Sequence, residues 1–194
     1  YGFKDDDINT LIRSCPDIAC LSEEKLNLIL QSWTQCNFGE DRMVSLILNH
    51  PNLLFVQSKQ IESLYVYISS RFTKNDVYKI FLTAPQLLIE SMDRIDDKLS
   101  FLATEFNVSK SQIAKSGALQ HTLHHIKGRI EFLIRVGVYK KLCNKNKGNH
   151  VNPRLDVIVC SSDEEFATKV AGVTLLEYEV FQQLFEKEEE DGLD

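Results

Sequence analysis

The amino-acid sequence predicts an all-α fold, a right- or left-handed solenoid of helical repeats closed by a C-terminal helical cap. Three observations predict it. Three of the four prolines, Pro16, Pro51 and Pro85, stand 35 and 34 residues apart. Thirteen residues before each comes a phenylalanine: Phe3, Phe38 and Phe72. Between phenylalanine and proline the apolar residues recur at spacings of three and four, which is the period of one helix face.

The first helix of each repeat carries Ile8, Leu11 and Ile12, then Met43, Leu46 and Ile47, then Val77, Ile80 and Phe81. Each helix should stop at its proline, whose ring disfavours helical geometry in the residue before it. Two residues past the proline stands Ile18, Leu53 or Leu87, and a second stripe follows. It comprises Leu26, Leu30 and Trp33; Ile61, Tyr65 and Ile68; and Ile95, Leu99 and Leu102. Ser22, Ser58 and Ser91 stand where a hydroxyl can accept from the open N–H groups of the second helix's first turn. A fourth copy runs from Phe106 through Ile113 and Leu123 to Ile126, Ile130 and Leu133, but lacks the proline. One helix pair cannot bury both its stripes, so neighbouring pairs must stack. Every apolar position named, Trp33 included, is therefore read as core.

Two more helices are predicted beyond residue 160. A capping box at Ser162-Asp-Glu-Glu165 opens the stretch Phe166 to Ala171, and one at Thr174-Leu-Leu-Glu177 opens a helix to about Lys187. That last helix has two apolar edges, Leu176, Val180 and Leu184 on one, Tyr178, Phe181 and Phe185 on the other. One seam needs less, so the helix caps the solenoid or meets a partner. Glu186 to Asp194 reads as a frayed, solvated charge run. The organisation expected is repeats over residues 1–137, then a basic loop, C-terminal helices and an acidic tail over 138–194.

Composition narrows the function. The 194 residues are 43% hydrophobic with only 8 Gly and 4 Pro, which fills a core and excludes disordered and collagen-like chains. Cys15, Cys20, Cys36, Cys143 and Cys160 contain no C-x-x-C pair and read as reduced thiols. No run approaches the length of a membrane-crossing helix, and no hydrophobic signal segment stands at Tyr1. The chain opens without Met, inside a repeat, and reads as processed or truncated. It has no glycine-rich phosphate loop, G-x-S-x-G or H-E-x-x-H, so it is read as a non-enzyme with no catalytic residue, cofactor, membrane or small-molecule substrate. His121, His124 and His125 have helical spacing a metal uses, yet no Cys or carboxylate beside them in sequence completes four ligands. They read as polar residues facing RNA, and no metal is predicted.

The net charge of -6 conceals a polarity, being -3 over residues 1–126, +7 over 127–154 and -10 over 155–194. Lys127, Arg129, Arg135, Lys140, Lys141, Lys145 and Lys147 belong to the basic part, with Arg154. Such a patch suits contacts to a phosphate backbone, where Lys and Arg displace condensed counterions. The competing reading is a basic loop that answers the acidic end of the same molecule.

The repeat F-x(4)-[IMV]-x(2)-[LI]-[IF]-x(3)-P-x-[IL], from Phe3 to about Gly137, resembles that of the mitochondrial transcription termination factor (mTERF) family. So does the order of the motifs that follow: Ala118 to Leu133, Val151-Asn-Pro-Arg-Leu155, Ser161 to Phe166 and Glu177 to Leu184. The resemblance implies helix pairs joined by a 3-10 turn. It further implies a non-catalytic protein of the mitochondrial matrix that binds large-subunit ribosomal RNA. That protein would recruit, as a heterodimer partner, a Sun-family rRNA cytosine-5 methyltransferase for large ribosomal subunit assembly. RNA contact is then expected along Lys127, Arg129, Arg135, Lys140 and Lys141. Val151, Pro153, Leu155, Phe166, Tyr178 and Phe181 match the positions that dock the partner. The family's other activity, duplex-DNA binding in transcription termination or regulation, is the alternative.

Overall fold

The computed structural model describes residues 1–141 and 151–191, and every regular element among them is a helix. The chain divides into two compact units, Tyr1–Met92 and Asp93–Asp194, a division that falls inside the third repeat.

The first unit repeats one local solution. Helix α1 (Asp5–Ser14) leads through a 3-10 turn (Pro16–Cys20) to α2 (Glu23–Gln35). Next come α3 (Glu40–Asn49), the turn Pro51–Phe55 and α4 (Ser58–Ser69), and then α5 (Lys74–Thr83) and the turn Pro85–Ile89. Every proline opens its turn, and the residue before it leaves the helical region, with φ of -147° at Cys15, -135° at His50 and -139° at Ala84. The N–H of that residue still donates to the carbonyl four back, at 2.8 Å from Leu11, 3.0 Å from Leu46 and 2.8 Å from Ile80. The helix is thus closed before the chain turns.

Stacking buries the predicted stripes. Leu46, Ile47, Ile61 and Ile68 are wholly buried, as is Trp33, whose ring meets Phe81 edge-on at 5.5 Å. Phe38, the repeat's phenylalanine, meets the same Phe81 at 5.8 Å, and such edge-on pairs add about 0.5–1.5 kcal/mol beyond area burial. His50 reaches from the end of α3 to the Leu82 carbonyl of the next repeat at 2.7 Å. In α1 only Leu11 is buried, whereas Ile8 and Ile12 stay exposed because no repeat stacks on that side within the described residues. Ser22 caps α2 as its position predicts, accepting from Lys25 N–H. Ser58 does not cap, since α4 begins at Ser58 itself and Gln57 takes the capping position in a reciprocal box with Gln60.

Helix α6 (Met92–Ser100) begins one residue past Ser91, with all but its first residue in the second unit, and continues through a π-helical turn (Phe101–Glu105). Helix α7 (Lys110–Ser116), the 3-10 turn Ala118–Gln120 and α8 (Leu123–Arg135) form the fourth repeat. Gly117 performs the break that proline performs elsewhere. It sits at φ +70°, the left-handed conformation that ends helices at low cost only for glycine. The structure continues with α9 (Leu155–Cys160), α10 (Asp163–Glu165) running into a π-helical turn (Phe166–Ala171), and α11 (Leu175–Asp191). The Thr174 capping box forms in full, whereas at Ser162 only the side-chain half of the box is present. Ser162 Oγ accepts from Glu165 N–H at 3.2 Å, and the Thr174 N–H donates to Glu177 at 2.8 Å. That bond, with the Thr174 hydroxyl, holds the Glu177 carboxyl below its ordinary range.

Helix α11 packs on α8, and Gly128 permits the approach, because a Cβ there would lie 3.3 Å from the Phe185 ring. Phe132 of α8 meets Tyr178 and Phe181 at 5.0 and 4.8 Å, while Phe166 closes the cluster at 4.9 Å from Tyr178. The expectation of a tail frayed from Glu186 is corrected. The helix extends to Asp191, because Glu188 and Glu189 bond back to α8. No helix among the described residues is long and apolar enough to cross a membrane.

Candidate nucleic-acid interface

The cations of α8 are engaged within the second unit. Arg129 is 2% exposed, and its Nη1 donates to the Ile158 carbonyl, the Ser161 carbonyl and Ser161 Oγ at 2.8, 2.8 and 3.1 Å. Its Nη2 donates to Asp163 Oδ1 at 2.6 Å, and its guanidinium lies 4.6 Å from the centre of the Phe166 ring. The last carbonyls of a helix lack partners inside it, and Arg129 supplies them at the end of α9. The expectation that Arg129 meets RNA is corrected, because a buried guanidinium with these partners does not reach a phosphate at the surface.

Arg135 donates through Nε to Glu131 at 3.1 Å and through Nη1 and Nη2 to both oxygens of Glu188 at 3.1 and 2.6 Å. Those bonds raise its already high pKa further and hold the Glu188 carboxyl below its ordinary range. Lys127 lies 3.9 Å from Glu189. For these two residues the acidic end of the chain answers the basic patch, the competing reading of the sequence.

Beyond α8 the picture changes. Lys140 and Lys141 are exposed, and neither makes an ion pair among the described residues. The Lys140 N–H donates to Asn152 Oδ1 at 2.9 Å, and Asn152 Nδ2 returns a bond to the Lys140 carbonyl at 2.8 Å, joining two segments 12 residues apart. Lys141 Nζ stands 5.0 Å from the centre of the Phe106 ring. Arg154 binds Asp156 through two bonds of 3.0 and 2.6 Å. Lys145, Lys147 and Cys143 lie outside the described residues.

The three histidines have partners within the second unit. His121 stacks on His125 at 4.6 Å, and His125 Nε2 bonds the Val159 carbonyl at 2.9 Å. His124 Nδ1 meets Glu189 at 2.6 Å. Burial, followed by the charges of His125, Arg129 and Lys98, lowers the His121 pKa to about 4. Among the described residues no cluster of three His, Cys, Asp or Glu side chains is arranged to hold a metal ion. Cys36 is buried, with its thiol pushed up to about 12 mainly by that burial, and Cys160 is exposed.

The partner-facing residues divide. Phe166, Tyr178 and Phe181 are 0%, 2% and 7% exposed, so the expectation that they touch a partner is corrected. They are the core of the second unit, because the edge of α11 with the larger aromatic area is the one that packs on Phe132. The other edge is the free one, with Leu176, Val180 and Leu184 at 68%, 48% and 52%. Val151 is exposed, and Pro153 and Leu155 are half-buried along a groove. The sequence named both edges of α11 but carried no signal for which faces inward. Asp163, the partner of Arg129, carried no signal beyond its place in a capping box.

The fold and the charged surfaces thus define an all-helical repeat protein built for macromolecular binding. The chain matches the family model described as mTERF over residues 1–167 and belongs to that family. It is similar to the mouse (Mus musculus) protein named transcription termination factor 4, mitochondrial, with 21% identity over 189 residues, which cover 96% of this chain and 55% of the mouse protein. The chain spans about half the length of that relative.

Proposed function

We propose that the protein is a non-catalytic adaptor in the mitochondrion that binds large-subunit ribosomal RNA and holds a Sun-family rRNA cytosine-5 methyltransferase on α11. The observation that carries the adaptor reading is the exposed Leu176, Val180 and Leu184 edge, lying opposite an aromatic edge that is fully packed. A helix whose second apolar edge is left open is ready to bury it against a protein. The mitochondrial setting is supported by the name of the mouse relative, and the RNA and methyltransferase by the family resemblance of the C-terminal motifs. Nucleic-acid contact falls to Lys140 and Lys141 in the described residues, since Arg129 is buried and Lys127 and Arg135 face carboxylates.

Co-purification from mitochondrial lysate tests the reading. Val180→Glu with Leu184→Glu is expected to abolish methyltransferase capture while leaving RNA affinity unchanged. Capture at the parent level would overturn the docking face. The name of the relative favours a second reading, duplex-DNA binding in transcription termination. Affinities for duplex DNA and structured RNA at one stated salt concentration separate the two, and a clear duplex preference would reverse the ranking.

A further inference from the structure

Within the second unit a groove of about 410 Å³ runs between α7, Tyr139 and the segment Val151 to Leu155. Phe106, Tyr139 and Ile158 form its buried apolar floor. It shares Gln112, Arg154 and Leu155 with a smaller recess of about 140 Å³ that also takes in Lys115. We propose that this groove seats an unstacked nucleotide of a single-stranded nucleic acid, its base on the apolar floor and its flanking phosphates on the rim. The inference rests on the nucleic-acid reading above and adds the site and the strandedness.

Charge complementarity selects the occupant. Exposed Lys115 lines the smaller recess, exposed Lys140 and Lys141 adjoin the groove through Asn152 and Phe106, and Arg154 stands where the two recesses join. The one carboxylate lining either recess, Asp156, is already bound by Arg154. The rim is therefore cationic, which a phosphodiester chain requires. Gln112 adds directional chemistry. Its Oε1 accepts from the Ser109 N–H and hydroxyl at 3.1 and 2.8 Å, which fixes the amide and leaves its Nε2 to donate to a base edge. Asn152 is already committed to the Lys140 backbone, so it shapes the wall rather than reading a ligand. Burial raises the Tyr139 phenol, keeping the floor neutral. A volume of this size accepts one base and excludes a duplex, whose bases are stacked and paired. Apolar floors beside cationic tracks are the way single strands are held.

The test uses the full chain and fluorescently labelled ten-nucleotide single-stranded RNA, the same sequence as DNA, the corresponding duplex and a poly-glutamate peptide, all at 0.1 M salt. Lys115→Ala, Lys141→Ala and Arg154→Ala together are expected to weaken single-strand binding at least tenfold. They should also flatten the slope of log affinity against log salt by about 2, at about 0.7 per lost phosphate contact. Leu155→Trp, which fills the groove and keeps every cation, is expected to weaken single-strand binding similarly with the slope unchanged. Equal affinity for the RNA and DNA strands, or a preference for RNA, both agree with the site. If the parent binds nucleic acid and both variants bind single strands as the parent does, the groove is wrong and the nucleic-acid reading survives. If the parent binds no nucleic acid, both fail. Binding of poly-glutamate as tight as that of the strands would make the groove an acidic-peptide site and overturn the inference.

Discussion

Arg129 and Asp163, 34 residues apart in sequence, meet at 2.6 Å, the guanidinium almost wholly buried and the carboxylate about half exposed. Around that contact three elements converge, because the same guanidinium holds the last carbonyls of α9 and faces the Phe166 ring. Removing the guanidinium takes its bonds from the Ile158 and Ser161 carbonyls, at a cost of about 1–3 kcal/mol for each buried acceptor left unpaired. Arg129→Ala is therefore expected to lose stability on that scale. Arg129→Lys should lose nearly as much, since an ammonium lacks the planar fork that spans these acceptors. Asp163→Ala should cost a comparable amount, because it leaves the almost wholly buried guanidinium without its counter-charge. Urea unfolding followed by circular dichroism measures all three, and an Arg129→Ala protein as stable as the parent would sink the argument.

His121 is expected to make the second unit sensitive to mild acid. Its folded pKa of about 4 lies below the ordinary value of 6.5, so the unfolded chain takes up the proton first. By linkage the stabilisation is complete above pH 6.5 and is lost progressively as pH falls from 6.5 to about 4. His121→Gln is expected to flatten the fall of melting temperature over that interval. A slope identical to the parent's would show that His121 is not its source.

The two edges of α11 should respond oppositely to substitution. Phe181 is buried against Phe132, and Phe181→Ala is expected to cost about 3–5 kcal/mol. Val180, one residue earlier, is half exposed, and Val180→Glu should leave stability within about 0.5 kcal/mol. Thermal melts of the pair decide it, and comparable losses would mean that both edges are packed.

Gly117 stands where the other repeats carry the residue before proline. A side chain there meets the left-handed backbone, and its Cβ would come within 3.0 Å of Gln120 Nε2 and 3.4 Å of Cys160 Sγ. Gly117→Ala is expected to lose about 1–2 kcal/mol, and Gly117→Asn less, because asparagine tolerates that conformation better. Equal stability of Gly117→Ala and the parent, read by chemical denaturation, would count against glycine as the helix stop.

Much of this fold follows from neighbours in the chain. Whether Leu46, Ile61 or Trp33 faces inward depends on contacts three and four residues away and on where a proline ends the turn. The helix pairs, the breaks at the three prolines and the Thr174 capping box are accordingly legible in the sequence. The charge polarity was legible too, as composition. The use made of those charges was not, because it depends on partners far away in sequence: Arg129 on Asp163, Arg135 on Glu188 at a separation of 53 residues, His124 on Glu189 at 65. Of seven cations that read alike as a patch, the five among the described residues became a buried brace at Arg129, two residues facing carboxylates at Lys127 and Arg135, and exposed lysines at 140 and 141. The same holds for α11, where period alone made both apolar edges equal. Only the docking of Phe132 and Phe166 against Tyr178 and Phe181 assigned one edge to the core and left Leu176, Val180 and Leu184 in solvent. Helical periodicity is a local property of the backbone, whereas burial is settled by whichever distant surface removes more apolar area from water.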